Sequence, residues 1–345
     1  MSLSPVYSVS RWALGFCRSL LAIGVVSLAL VPVAGQAPSP VSKLPTSPPR
    51  TLDSRSDLQG IWTNATLTPL ERPLELAGKA YFTAAEAAEY EKQARARNNA
   101  DRRDSNAEAD LVTGYNDAWW DRGTKIVSTR RTSLIVDPAD GRIPPLTPEA
   151  QRRVAARAEA VRRHPSDGPE SRSLADRCIV RATTGPPMLQ AGYNNNYQIV
   201  QHADSVAILI EMIHDARVIP LDGRPHLSGK IRQLLGDSRG RWEGKTLVVD
   251  TTNFTDRTNF RGASENLHVI ERFTRTDDDT LLYQFTVDDP QSFTRPWSGE
   301  IPMKKVEGPI FEYACHEGNL SMEMILSTAR AEEKAADEAG RKGAR

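Results

Sequence analysis

Between Tyr197 and His316 the chain is a succession of short apolar runs separated by turn signals, and several runs carry charge where a core strand should be apolar. Ser205-Val-Ala-Ile-Leu-Ile-Glu-Met-Ile-His-Asp215 is the clearest. Apolar residues occupy both alternating faces, as in a strand covered on both sides, yet Glu211, His214 and Asp215 sit within or at the end of the run. A bare carboxylate is too costly to bury, so it must find a partner, shift its pKa or face a wet cavity. The pattern predicts a curved or closed β-structure with a polar-lined interior.

Strands are expected at 197–202, 205–214, 216–220, 246–254, 266–275, 280–288, 297–304 and 309–315, with earlier ones at 57–64 and 131–137. Glu243-Gly-Lys245 and Asp277-Asp-Asp279 are short turn signals consistent with antiparallel hairpins. Leu281, Tyr283, Phe285 and Val287 alternate with a mixed face. Thr83-Ala-Ala-Glu86 is a capping box opening a surface helix to about Arg103. Thr147-Pro148 starts a basic helix to about Arg163, and Leu320–Ala339 reads as an Ala/Glu helix fraying towards its charged end. The fold class is therefore mainly β, an antiparallel curved sheet or barrel-like meander with about three peripheral helices.

Arg11 and Arg18 flank a weakly polar lead to the apolar run 19–35, whose length and small residues at Val33-Ala34-Gly35 fit a cleavable signal peptide over 1–35. A membrane anchor needs about 20 apolar residues, and Pro32 interrupts this shorter run. The expectation is a periplasmic or secreted protein with no stable membrane insertion after cleavage. A Pro/Ser-rich linker at 36–56, one β-rich domain with helical insertions at 57–330 and a charged tail at 331–345 complete the organisation. The 44 basic and 44 acidic residues cancel, so no global field favours nucleic acid. Cys178 and Cys315 remain after the leader; in an exported chain they pair, or else stay as buried thiols.

The strings Gly236–Asp250, Thr252-Asn-Phe-Thr255, Glu271-Arg-Phe-Thr274, Ile219–His226 and Glu312–Asn319 resemble a large family of uncharacterised secreted bacterial proteins with no assigned activity, over most of the chain after residue 57. That resemblance implies export but transfers no site residues. Gly60-Ile-Trp62 is similar to the first-strand Gly-x-Trp of lipocalin-type β-barrels, which implies a ligand cavity.

Four constellations could carry chemistry. Glu211, His214, Asp215 and Arg217 would place a His beside a carboxylate, fit for general base work or for a structural ion-pair network. Arg239, Arg241, Arg257 and Arg261 lie in expected loops, suited to bidentate recognition of an anion or to pairing with Asp237, Asp250, Asp256 and Glu265. Trp119, Trp120, Asp121 and Arg122 could stack on a ligand or plug the β-structure. His202, His214, His226 and His316 make no compact metal motif, and no phosphate loop or dinucleotide fingerprint is present, so no metal or cofactor is expected.

The leading expectation is an exported protein that binds a small organic ligand in a polar-lined β cavity. Trp119, Trp120, Asp121, Arg217, Arg241 and Arg261 would make the ligand contacts. The alternatives are a cofactor-free hydrolase, lyase or isomerase using Glu211, His214 and His316 as acid–base groups, and a structural envelope role.

Overall fold

The computed structural model describes residues 51, 55–102, 116–181, 183–258 and 260–343, all within the compact unit 45–345. The expected leader and most of the linker lie outside the described residues. Ten strands form one antiparallel sheet: β1 (Gly60–Thr63), β2 (Ile135–Asp137), β3 (Asn196–Gln201), β4 (Ser205–Ile210), β5 (Ala216–Pro220), β6 (Asp237–Glu243), β7 (Thr246–Thr252), β8 (His268–Arg275), β9 (Thr280–Asp288) and β10 (Trp297–Val306). Their order is β5-β4-β3-β1-β10-β9-β8-β7-β6, with β2 on β10. Among the described residues three α-helices accompany them: α1 (Ala84–Asn98), α2 (Pro148–Arg163) and α3 (Leu320–Gly343).

The expected turns close two hairpins, with Glu243 opposite Thr246 and Arg275 opposite Leu281. The alternation on β9 holds: Leu281, Tyr283, Phe285 and Val287 are all buried. They meet Met303, Ile301, Gly299 and Trp297 on β10 in register. Phe273 lies 5.0 Å from Tyr283 and Phe285 meets Trp297 edge-on at 5.7 Å, so aromatic rings fill the concave side. Each such fully buried apolar side chain contributes about 1.5–3 kcal/mol.

The sheet curls but its edges, β5 and β6, exchange no ladder bonds. Curvature is visible in one pair: Arg217 on β5 reaches Glu271 on β8 with Nη2–Oε2 2.5 Å and Nη1–Oε1 3.1 Å. Arg217 Nη2 also meets Ser238 Oγ on β6 at 3.3 Å, joining the edges through side chains.

Several expectations are corrected. The run 205–214 leaves the sheet at Ile210, because Glu211–His214 turns with Ile213 and His214 at positive φ of 67° and 45°. Glu211 therefore shares no strand face with Asp215. Residues 309–315 form no strand, and 131–137 joins the sheet only over its last three residues, Arg131 making an isolated bridge with Tyr81. Arg239 and Arg241 lie on strand β6, not in loops. Helix α1 stops at Asn98, and α3 continues to Gly343.

The capping box opening α1 is present: Thr83 Oγ1 accepts from Glu86 N, and Thr83 N donates to Glu86 Oε2 at 2.8 Å. The helix turns Ala87, Glu91 and Ala94 inward. The Glu91 carboxylate accepts from Ile126 N at 3.1 Å and Lys125 Nζ at 2.9 Å, which fastens α1 to the segment after Trp120. Across the chain the disulfide Cys178–Cys315, with Cα atoms 5.7 Å apart, ties the loop before β3 to the segment after β10.

Candidate anion-binding cleft

Between α1 and three loops on the outside of the sheet lies a cleft of about 400 Å³. Its apolar wall includes Leu67, Leu70, Leu134 and Leu189. Its polar wall is cationic: Arg97 from the last turns of α1, Arg122 from the segment after Trp120, and Arg261 from the β7–β8 loop. No Asp or Glu lines it among the described residues. In a chain with equal numbers of acids and bases, three guanidiniums around one cleft without a carboxylate is a local excess of positive charge.

Local packing fixes each arginine differently. Arg122 lies over the Trp120 ring at 4.0 Å and donates Nη1 to Asn98 O at 2.7 Å, so its plane is set. Gly123 follows at φ 73°, and a side chain there would press within 2.7 Å of Thr66 N, so the close turn requires glycine. Gly192 lies against Trp120, where a Cβ would come within 2.8 Å of the ring. Asn195 clamps the cleft's base, donating to the carbonyls of Asp121 and Ala191 and accepting from Ala191 N at 2.7 Å. Arg97 sits 5.9 Å from the Tyr90 ring centre. Arg261 stays at the solvent-exposed rim and makes no hydrogen bond or ion pair among the described residues. Crowding by the protein pulls its guanidinium below its ordinary value, with Glu71 opposing weakly.

A second cavity, about 330 Å³, lies at the β5–β6 seam and includes Asp215, Arg217, Asp237, Ser238 and Arg239 in its lining. Most of its charges are already answered: Arg217 by Glu271, and Asp237 by Arg239 at 2.6 Å and His226 at 3.0 Å, while the Asp215 carboxylate accepts only from Ala216 N among the described residues. Burial raises the Asp215 carboxyl above its ordinary value.

The other expected site residues scatter. Glu211 is buried and accepts from Asn196 Nδ2 at 2.9 Å and Phe311 N at 3.1 Å. His214 is exposed, its Nδ1 2.9 Å from Tyr313 O and its ring 6.4 Å from His316. Those two histidines are thus neighbours, while the Glu211 carboxylate is spent on backbone and amide donors. Arg241 is exposed and paired with Glu243. Trp119 is exposed, whereas Trp120 packs edge-on to Tyr193 at 5.9 Å. Burial raises the Asp121 carboxyl.

Sequence reasoning missed Arg97, which reads as one more cation in the last turn of a surface helix. It also missed a chain of imidazoles and carboxylates running from the β5–β6 loop across β6–β8. His226 Nδ1 meets Asp237 Oδ2 at 3.0 Å, His226 Nε2 meets Asp250 Oδ1 at 3.0 Å, and His268 Nε2 meets Asp250 Oδ2 at 3.1 Å. The His268 contact lowers Asp250 below the ordinary carboxylate value, and the same bond raises His268. The signal was available in the alternation of β7 and β8, but not the register that brings them together. Among the described residues no group of three His, Cys, Asp or Glu is placed to hold a metal, and no helix is long and apolar enough to cross a membrane.

No family model, curated protein or solved structure matches this chain.

Proposed function

We propose that this is an exported protein that binds a small organic anion, and that the cleft walled by Arg97, Arg122 and Arg261 is where it does so. The observation that carries the reading is the uncompensated charge: three guanidiniums beside an apolar wall, without a lining carboxylate among the described residues. Guanidinium forks suit carboxylate, sulfate or phosphate, and the lining joins them to leucines in roughly equal polar and apolar share. The disulfide supports an oxidising compartment. The ligand cavity of this reading lies outside the curled sheet, between α1 and the loops, with the concave side given to core packing.

Thermal-shift screening tests it. Organic acids should raise the melting temperature of the mature protein while their neutral amides do not; at 100 times its Kd a ligand adds about 2.7 kcal/mol. Arg122→Gln should abolish the shift. Equal shifts from acids and amides, or none from any acid, would remove the reading.

One observation favours an acid–base enzyme as the second reading: His268 is a third exposed and anchored by Asp250, the arrangement of an oriented general base. Turnover that survives Arg122→Gln but is lost in His268→Gln would move the activity there.

A further inference from the structure

The donor inventory of the cleft says more than that its ligand is an anion. A guanidinium carries five N–H donors, and a carboxylate offers about four acceptor positions. Arg122 spends Nη1 on Asn98 O, and Arg261 spends none among the described residues. A single carboxylate cannot use the donors these two present, still less those of Arg97. Charge counts the same way: among the described residues no carboxylate lines the cleft, so a monoanion would meet three guanidiniums, of which Arg261 feels a nearby acid, Glu71.

The backbone supports a recruited Arg261. It sits at φ 49° beside Gly262 at φ 85°, so a side-chain-bearing residue occupies the left-handed region at the cleft's edge. Such conformations are disfavoured for non-glycine residues and concentrate at functional sites. Glu71 is the one carboxylate acting on Arg261, and its Oε1 is engaged by Ile143 N at 2.9 Å. Arg122 and Arg261 are held by separate loops, so two anionic groups can be met by separate forks.

Resting on the reading of the cleft as an anion site, we infer that its ligand is a dianion on a compact apolar body, a dicarboxylate or a phosphate monoester. Arg122, fixed by Trp120, holds one anionic group. Arg261 at the rim holds the second charge, and the leucine wall takes the body.

Isothermal titration of the mature protein at pH 8 and fixed ionic strength compares benzoate with isophthalate and phenyl phosphate, and hexanoate with adipate. At least one dianion should bind ten-fold or more tighter than its monoanion partner. Arg261→Gln should reduce that ratio to under three-fold, the dianion losing at least three-fold more affinity than its monoanion partner. Equal affinity within each pair, with binding still lost in Arg122→Gln, would overturn the dianion inference and leave the anion site standing. Absence of binding by every acid would overturn both. The comparison within the unaltered protein needs no variant to fold, and circular dichroism of Arg261→Gln checks the one that is used.

Discussion

Arg217 and Arg261 show how differently one residue type is used in this molecule. Arg217 enters the concave side of the sheet, where Glu271 meets it with two hydrogen bonds and Tyr283 Oη donates to the same carboxylate at 3.0 Å. Burial is the largest single influence and opposes its charge, but Glu271, with Tyr283 and Tyr197 adding to it, raises the guanidinium above its ordinary value. Arg261 stands at a rim without an acidic contact among the described residues. A strand-borne charge thus became part of the core, and a loop-borne charge lies at the rim of a cleft.

The contrast breaks most violently at the core. Glu271→Ala leaves Arg217 buried and unpaired, and loss of one partner of a buried pair costs about 3–5 kcal/mol. Urea unfolding of this variant should show that loss, whereas replacing both residues by apolar ones of similar volume should recover much of it. A cost under about 1 kcal/mol for Glu271→Ala would mean that the interior is wet.

Next in size is the covalent tie. Cys178 and Cys315 are 137 residues apart, and chain-entropy arithmetic for such a loop allows about 5 kcal/mol, with about 2–5 usual in practice. The double serine variant should lose that much stability. Ligand affinity should stay within three-fold, since neither cysteine lines the cleft.

Smaller again is the pH response of the imidazole–carboxylate chain. Asp250 is lowered by His268, so its contribution is present above the ordinary carboxylate value of 3.8 and fades as pH falls through its folded value. His268 is raised by Asp250, so its contribution is complete below the ordinary 6.5 and is lost as pH rises through its higher folded value. The two overlap between roughly pH 4 and 6.5. Being partly solvated, they should add less than about 1 kcal/mol. Unfolding of His268→Gln against the parent should differ most near pH 5 and converge above pH 8; a difference that grows with pH would contradict the assigned directions.

The smallest expected stability effect is at the cleft itself. Arg261→Gln removes no hydrogen bond or ion pair among the described residues and should stay within about 0.5 kcal/mol of the parent, while dianion binding falls. Loss of stability there would mean that Arg261 serves the fold.

Much of the sheet was legible because β9 and β5 declare themselves by alternation and bounding turns; both match their expected spans, 280–288 and 216–220. Strand β6 was illegible, since Asp237-Ser-Arg-Gly-Arg-Trp-Glu243 is polar and glycine-bearing, and its strand identity comes from pairing with β7. The run through Glu211 misled because its apolar content continues past Ile210; Met212 and Ile213 are buried by a turn instead of a strand. The cleft was half legible. Arg122, Trp120 and Arg261 stood out as a cation–aromatic loop and a loop arginine, but 139 positions separate Arg122 from Arg261, and only tertiary packing joins them to Arg97.

The most direct test of the account is a crystal structure of the mature protein with isophthalate or phenyl phosphate bound. The account places the anionic oxygens within about 3 Å of the Arg122 and Arg261 guanidiniums, with the ring against Leu67 and Leu134. A ligand seated in the β5–β6 seam or against His268, with the arginine cleft empty, would contradict it.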